Sequence, residues 1–242
     1  MKALRFHAKK DLRIEDIPAP PAPGPGQVLI RNRFVGICGT DLHEYASGPI
    51  FIPTRPHPYS GAHGPQVLGH EFGGEVIAVG EGVTKVAPGD RVAVQPLIMP
   101  RGGEYFADRG WHNLSGSLAL VGLSWVSGGM AEMALLNDYN VEKIPDSMTD
   151  EEAALVEPTA VVVYACDRGR VTAGTFSTQA AASPPAASRC FARPCAIEVG
   201  GRTPDPWIDF IQGPTGAFGN GRCPILSWSG CQISIAGCRI SD

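Results

Sequence analysis

Hydrophobic and polar residues alternate in several short segments along the first part of the chain, a pattern typical of half-buried strands. The segments predicted as strands are residues 2–7, 27–37, 74–80, 91–94 and 130–136. Glycine and proline, at 30 and 22 of the 242 residues, separate these segments with turns. Short strands with frequent turns favour a small barrel or sandwich, so the pattern predicts a mostly β fold with some α structure.

Two helical segments are predicted after the last of these strands. Thr149 and Glu152 have the spacing of a capping box, in which the threonine hydroxyl accepts a backbone N–H and the glutamate reaches back. An alanine-rich helix follows, and the pair Glu157-Pro158 is expected to interrupt it. A second helical stretch is then predicted over residues 159–167.

Composition changes this picture by excluding classes of partner. The formal net charge is -4 and no basic stripe runs along the chain, so nucleic acid is not an expected partner. No apolar run has the length of a membrane span, and the first ten residues carry charges where a signal peptide is apolar. We therefore expect a cytoplasmic protein with no membrane partner and with reduced cysteine thiols.

Two short motifs supply the side chains of a catalytic metal site. Cys38 lies in the run Gly-Ile-Cys-Gly-Thr-Asp, and His70 and Glu71 lie in Gly-His-Glu. A catalytic zinc takes about three protein ligands and keeps one position open. Cys38 can supply a thiolate, His70 an imidazole nitrogen, and either Glu71 or Glu157 a carboxylate oxygen. Zinc in such a site lowers the pKa of an alcohol and so favours its oxidation.

A proton relay is predicted beside these ligands. Oxidation of an alcohol releases a proton, which must leave a buried site. Thr40 lies two residues after Cys38 and can take this proton. His43 lies about one helical turn further on and can pass the proton to solvent. The sequence therefore indicates that ligand and relay residues face one pocket.

Each of these residues also has a plainer structural interpretation. A lone cysteine is usually a small buried apolar residue, Thr40-Asp41 can cap a helix, and Glu157 can be a solvated carboxylate. The remaining histidines are interpreted as surface or hydrogen-bonded residues: His7, His57, His63 and His112, of which His57 and His63 are expected to be exposed. The joint occurrence of the ligand and relay residues makes the metal site the better interpretation.

The motifs resemble those of a known family. Residues 69–74, Gly-His-Glu-Phe-Gly-Gly, resemble the zinc-containing alcohol dehydrogenase signature of the medium-chain dehydrogenases, and residues 36–41 and 88–92 resemble its flanking motifs. The loop over residues 48–53 is similar to that of the 2,3-butanediol dehydrogenases, which stand close to the sorbitol and threonine dehydrogenases. The resemblance extends from residue 1 to about residue 174.

This resemblance implies a fold and an activity. It implies a GroES-like barrel over residues 1–147 that carries one catalytic zinc, followed by a helical connection over residues 148–174. It implies Cys38, His70 and a glutamate, Glu71 or Glu157, as ligands, and it gives Thr40, His43 and Glu157 catalytic roles. The expected reaction is NAD-dependent oxidation of a small vicinal diol such as 2,3-butanediol, or reduction of acetoin. Intact relatives are often homo-oligomers.

The chain departs from the family pattern in one loop region. Many relatives bind a second, structural zinc through four closely spaced cysteines, whereas residues 95–125 of this chain contain no cysteine. We therefore expect no structural zinc. This lobe is expected to pack through its aromatic residues, among them Tyr105, Phe106 and Trp111.

A second departure concerns the nucleotide-binding domain. Residues 175–242 show no sustained period, contain no lysine and hold five of the seven cysteines. No strand precedes the glycine-rich residues 216–221, and Cys-Pro follows them where a helix should run, so they are interpreted as a loop. The Rossmann cofactor domain is thus expected to be missing or replaced, and no NAD-binding residue is identified. The segment is expected to have low order.

We hypothesise that residues 175–242 are read out of frame. In GC-rich DNA, a shift of one base turns codons for Gly, Ala and Val into codons for Ala, Pro, Arg, Ser and Cys, which are abundant in this segment. A chain of this kind would have little activity. The alternative functions are a non-catalytic zinc-binding GroES-like module or a defective subunit.

The nucleotide sequence tests this hypothesis directly. One of the two other reading frames beyond codon 174 is expected to encode a strand, a Gly-x-Gly-x-x-Gly loop and a helix, because that unit binds the cofactor pyrophosphate. If neither frame encodes such a unit, the hypothesis is wrong.

Overall fold

The structure is a computed structural model that describes residues 1–170 and, as backbone, three short strands between residues 225 and 239. The strands are β1 (Lys2–Ala8), β2 (Asp11–Asp16), β3 (Gln27–Gly36), β4 (Gln66–Val67), β5 (Glu71–Val79), β6 (Arg91–Val94), β7 (Leu97–Ile98), β8 (Ala119–Leu120), β9 (Met133–Asn137), β10 (Val141–Lys143), β11 (Ile225–Ser229), β12 (Gln232–Ile235) and β13 (Cys238–Arg239). The helices are α1 (Gly39–Ser47), α2 (Asp150–Ala154) and α3 (Val156–Arg168).

Strand β3 is the central strand of the main sheet. It pairs antiparallel with β5 along almost its whole length, from the pair Val28–Val79 to the pair Gly36–Glu71. Strands β6 and β10 extend the sheet beyond β5, and β9 pairs with the first half of β3 on its other edge. Two smaller sheets, β2-β1-β4 and β7-β8, complete the arrangement. The fold is therefore mostly β, as predicted.

The core lies between these sheets and is apolar. Its largest fully buried apolar side chains come from strands and from the loops between them: Phe6, Ile30, Leu68, Phe72, Ile98, Leu123 and Leu136. In β3 the alternate buried positions Val28 and Ile30 are apolar, and in β5 Phe72 and Val76 are, as the period of a strand predicts. Burial of this set is the main stabilising contribution to the fold.

Two glycines let elements approach more closely than a side chain would allow. Gly69 has φ +91°, and a Cβ at that position would lie 2.8 Å from Val35 Cγ2. A Cβ on Gly73 would lie 2.7 Å from the Cβ of Ala153, so α2 packs directly on β5. These contacts fix the start of β5 from both sides.

Asn32, a buried polar residue of β3, fastens a neighbouring loop to the sheet. Its Nδ2 donates to the carbonyl oxygens of Gly128, Gly129 and Ala131, at 3.2, 3.2 and 2.7 Å. Because backbone carbonyls buried without partners are costly, this one side chain stabilises the whole loop segment.

The structure confirms the predicted strands and changes several boundaries. Strand β5 begins at Glu71, three residues before the predicted start, because its pairing with β3 continues through a stretch whose glycines hide the strand pattern. Strand β9 begins at Met133 rather than at residue 130. Several short strands had no prediction: β2, β4, β7, β8 and β10. Strands β4, β7, β8 and β10 have only two or three residues and carry too little periodicity to be recognised. The six-residue β2 was missed although Leu12 and Ile14 alternate with charged residues.

The capping box that opens α2 is confirmed. Glu152 N donates to Thr149 Oγ1 at 3.2 Å, and Thr149 N donates to Glu152 Oε2 at 2.8 Å. The expected break at Glu157-Pro158 is wrong, since α2 ends before Leu155 and Pro158 lies in the first turn of α3. A proline is tolerated there because the first-turn N–H groups have no partner within the helix. Among the described residues, no helix combines the length and apolar character needed to cross a bilayer.

The lobe between β7 and β8 packs partly through aromatic and cation–π contacts. The guanidinium carbon of Arg109 lies 3.8 Å from the ring centroid of Tyr105, which in turn meets Phe106 edge to face at 5.2 Å. Arg101 lies over the ring of Tyr139 at 4.4 Å. Trp111 is half exposed, so the predicted aromatic packing holds for the Tyr105–Phe106 pair rather than for all three rings.

The described part of residues 175–242 consists of three short strands, β11, β12 and β13. They form an antiparallel meander, and β11 pairs with the end of β3, where Ile225 lies opposite Gly36. The sequence predicts no regular element here. The other residues of this segment, including the glycine-rich loop at 216–221, lie outside the described residues.

Replacing Asn32 with alanine is expected to lower the free energy of unfolding by about 2–4 kcal/mol, because three buried carbonyls lose their donor. Urea unfolding followed by circular dichroism measures the change. Asn113→Ala is the matched control, since Asn113 is exposed and its replacement is expected to change stability by less than about 0.5 kcal/mol. Equal stabilities of the two variants would contradict the role of Asn32.

Candidate metal centre

Cys38 lies at the junction between the end of β3 and the start of α1. It is the N-cap residue of the helix, with φ -80° and ψ 156°, and its backbone N–H donates to Asp41 Oδ2 at 3.0 Å. A short helix therefore begins directly after Cys38. The capping residue is Cys38 itself, and Asp41 reaches back to it in a capping-box arrangement.

His70 and Glu71 lie at the start of β5, directly after Gly69. The β3–β5 register places Glu71 opposite Gly36, two residues before Cys38. A Cβ on Gly36 would lie 2.7 Å from Glu71 Oε2, so glycine at this position leaves room for the carboxylate. Both His70 and Glu71 are buried, at 7% and 6% exposure.

Among the described residues, Cys38, His70 and Glu71 form a group that could hold a metal ion. One potential ligand atom from each lies within 4.8 Å of those of the other two. Zinc binds sulfur at about 2.3 Å, nitrogen at about 2.0–2.1 Å and carboxylate oxygen at about 2.0–2.2 Å, and a catalytic zinc has three protein ligands. The donor set and its spacing therefore fit a catalytic zinc with one position left for another ligand.

Asp41 is a further residue of the site that the sequence interpretation assigned only to helix capping. It is buried at 3% exposure, and its Oδ1 lies 3.6 Å from His70 Nδ1. This leaves the other ring nitrogen of His70, Nε2, available for a metal. A carboxylate beside a ligand histidine fixes the orientation of the ring and strengthens it as a ligand. The signal in the sequence was the spacing of Asp41, three residues after Cys38, which is the spacing of a capping box.

Burial and neighbouring charges shift the pKa values of His70 and Glu71. Burial disfavours the charged imidazolium, but the Asp41 carboxylate and the Cys38 sulfur outweigh it and raise the pKa of His70 well above its ordinary value. Burial also raises the pKa of Glu71, against the opposing effect of His70. Metal binding requires these groups to be deprotonated, and a divalent cation would favour that state.

Glu157, the other glutamate considered as a ligand, lies in the first turn of α3 near the cluster. Burial raises its pKa to about 7; among the charges beside it, His70 opposes this shift and Glu71 adds to it. Glu157 does not belong to the group of ligand atoms within 4.8 Å. The spacing therefore favours Glu71 over Glu157 as the carboxylate ligand, and direct ligation by Glu157 stays a prediction.

The two predicted relay residues lie on α1 at different depths. Thr40 is half-buried, and its Oγ1 accepts a weak hydrogen bond from Cys38 Sγ at 3.7 Å. His43 is exposed, one turn further along the same helix. The arrangement is compatible with a path from the cluster towards solvent.

One histidine outside the site differs from expectation. His57 is half-buried rather than exposed, because its Nδ1 accepts backbone hydrogen bonds from Tyr59 at 3.3 Å and Ser60 at 3.2 Å. It stabilises a turn in the loop. His63 is exposed, as predicted.

Replacing Asp41 with asparagine is expected to weaken zinc binding by about 10–100-fold, because the amide carries no charge and orients His70 less firmly. Competition with a chromophoric chelator measures the affinity. Asp146→Asn, at an exposed position, is the control and is expected to bind zinc like the parent chain. An unchanged affinity in Asp41→Asn would show that this carboxylate does not support the site.

The relatives found by comparison with known proteins are dehydrogenases. The chain is 44% identical to (R,R)-butanediol dehydrogenase of Bacillus subtilis (strain 168) over 175 residues, which are 72% of this chain and 49% of that protein. It is 41% identical to sorbitol dehydrogenase of Gallus gallus over 175 residues, 72% of this chain and 46% of the relative. The crystal structure of 2R,3R-butanediol dehydrogenase from Bacillus subtilis matches with a TM-score of 0.63 at 44% identity, over 69% of this chain and 46% of that one.

These matches cover only part of each relative. The chain spans about half the length of the curated relatives it matches. The family model for the alcohol dehydrogenase GroES-like domain matches residues 24–146, which contain Cys38, His70 and Glu71. With this match, the sheet-dominated fold and the similarity to the butanediol and sorbitol dehydrogenases, the chain belongs to the alcohol dehydrogenase GroES-like domain family of zinc-dependent medium-chain dehydrogenases.

Proposed function

We propose that residues 1–147 are the zinc-binding catalytic domain, and residues 148–174 the helical connection, of a dehydrogenase that oxidises a vicinal diol such as 2,3-butanediol, or reduces acetoin, with NAD. The observation that carries this proposal is the group formed by Cys38, His70 and Glu71, whose ligand atoms lie within 4.8 Å of one another. A thiolate, an imidazole and a carboxylate with an open fourth position are typical of zinc that acts on a small molecule.

The zinc would be held by these three side chains, with Asp41 orienting His70. When bound, zinc supplies a Lewis acid that lowers the pKa of an alcohol hydroxyl. The surrounding protein excludes water, since His70, Glu71 and Asp41 are all buried. A low-dielectric environment strengthens the electrostatic interactions within the site.

Thr40 and His43 are assigned to proton transfer. The Thr40 hydroxyl lies next to Cys38 and can accept the proton that an alcohol loses on oxidation. His43 is exposed and can pass a proton to solvent. Glu157 has a pKa of about 7, so it can also carry a proton close to the cluster. We assign it a catalytic role, with ligation as its alternative.

The substrate class is proposed from the relatives. Matched proteins carry the names butanediol dehydrogenase and sorbitol dehydrogenase, and both butanediol and sorbitol bear hydroxyl groups on adjacent carbons. A dehydrogenase also needs a hydride acceptor, for which we propose NAD. We further propose a cytosolic location, where Cys38 stays reduced, and a homo-oligomeric state in the intact enzyme.

A second candidate is a zinc-binding module without turnover. The similarity to butanediol dehydrogenase covers 175 residues, 72% of this chain, so more than a quarter of the chain lies outside that match. We propose that residues 175–242 are a non-native segment produced by a shifted reading frame. In that case the chain binds zinc but does not hold NAD close to the alcohol carbon, as hydride transfer requires.

Zinc content and NADH binding of the purified chain separate the two candidates. We expect one zinc per chain by elemental analysis and a loss of that zinc in Cys38→Ala, because two protein ligands hold zinc poorly. Cys166→Ala is the matched control: Cys166 is a half-buried cysteine of α3 outside the ligand group, and this variant is expected to keep its zinc.

Fluorescence titration with NADH and a turnover assay with 2,3-butanediol complete the experiment. NADH binding with turnover supports the dehydrogenase, and bound zinc without either supports the inactive module. If the parent chain and both cysteine variants contain no zinc, both candidates are contradicted.

A further inference from the structure

Arg91, the first residue of β6, lies outside the group of candidate metal ligands, and its side chain is partly buried. Its guanidinium donates four hydrogen bonds to residues 145–150, the link between β10 and α2. Nη1 donates to the carbonyl oxygen of Met148 at 2.7 Å and to Asp150 Oδ1 at 3.3 Å. Nη2 donates to the carbonyl oxygens of Pro145 and Asp146, at 3.3 and 3.0 Å. One side chain thus fixes both ends of this link to the sheet.

The link that Arg91 holds leads directly into α2, which packs on the strand that carries two of the candidate ligands. Asp150 is the first residue of α2, so its ion pair with Arg91 fixes the start of the helix. A Cβ on Gly73 of β5 would lie 2.7 Å from the Cβ of Ala153, so the helix lies directly on the strand. Ala153 is buried, and α2 contacts β3, β5 and β6. Arg91 and Gly73 together therefore set the position of α2 over β5.

Helix α3 follows α2 after a single residue, Leu155, so the two helices are coupled. The carbonyl oxygen of Leu155 accepts hydrogen bonds from the backbone N–H and the Oγ1 of Thr159, at 3.1 and 2.6 Å. Val156, the first residue of α3, packs against a small buried cluster formed by Ala93, Ile144 and Ala153. A displacement of α2 would therefore be passed to the first turn of α3, where Glu157 lies.

Glu157 connects this chain of contacts to the metal ligands. Helix α3 contacts β5. Burial raises the pKa of Glu157 to about 7, and the charges of His70 and Glu71 lie near enough to contribute to that value. A negative charge just outside a ligand group stabilises a bound dication, and its effect depends on its distance from the metal. The start of α3 therefore decides how strongly Glu157 acts on the metal.

We propose that Arg91 is a positioning residue, which holds the start of α2 on the sheet and thereby keeps the Glu157 carboxylate beside the metal cluster. This inference rests on the proposed function, since it requires that Cys38, His70 and Glu71 bind a metal. Arg91 acts through α2 and α3, because its four hydrogen bonds go to residues 145–150 and not to the ligands.

Cobalt binding to the full chain tests this proposal, because Co²⁺ accepts the donor atoms that zinc does and absorbs visible light. The dissociation constant and the visible spectrum of Glu157→Gln show what loss of this carboxylate does at the metal. We expect about tenfold weaker binding and a changed spectrum. We expect Arg91→Ala to change both quantities in the same direction, although Arg91 contacts no ligand. Circular dichroism establishes that each variant is folded.

The double variant separates a positioning role from a general loss of stability. If Arg91 acts through Glu157, Arg91→Ala has little further effect in a chain that already carries Glu157→Gln. Arg33→Ala is the matched control, since Arg33 pairs with Glu75 on the neighbouring strand, and this variant is expected to keep the parent affinity and spectrum. A folded Arg91→Ala with the parent spectrum, or effects that add in the double variant, would overturn the proposal.

Arg91→Lys carries the test if Arg91→Ala does not fold. Lysine keeps the positive charge, but one ammonium group cannot reproduce the planar fork of arginine. We expect a spectrum between those of the parent chain and Glu157→Gln, and a parent spectrum in folded Arg91→Lys contradicts the positioning role. If Glu157→Gln itself changes neither quantity, the positioning role is wrong and the metal centre stands. If the parent chain binds neither Co²⁺ nor zinc, the proposed function itself fails.

Discussion

The antiparallel pairing of β3 with β5 is the constraint on which the metal centre depends. This register sets Gly36 opposite Glu71, so the strand that leads to Cys38 ends beside the strand that begins with the other two candidate ligands. The missing side chain of Gly36 leaves room for the Glu71 carboxylate. A slip of one residue would turn Glu71 to the opposite face of the sheet and disperse the cluster.

Much of this site could be predicted because its residues lie in short contiguous motifs. Cys38, His70 and Glu71 belong to runs whose glycines and donors are adjacent in the sequence, and no knowledge of distant contacts is needed to notice them. The choice between Glu71 and Glu157 could not be made in this way. It depends on the distance between side chains of β5 and α3, which only the packed structure provides.

Other features of the fold could not be predicted from the sequence, for physical reasons. The start of β5 was missed because glycines at a close approach to α2 carry no hydrophobic signal. The role of Asp41 beside His70 was missed because these residues are distant in sequence and meet only when β5 and α1 are in place. Glu44 is fully buried, with its oxygens accepting the backbone N–H groups of Ile50 and Phe51, and this was missed because charged residues are normally expected at the surface.

The lobe between β7 and β8 shows how this chain differs from relatives that use a second metal. Its segment from residue 95 to residue 125 has no cysteine. The cation–π contact of Arg109 with Tyr105 and the edge-to-face contact of Tyr105 with Phe106 contribute to its packing. Such contacts depend on neither thiol oxidation state nor metal supply. The shape of this lobe is therefore expected not to depend on a metal bound by thiolates within residues 95–125.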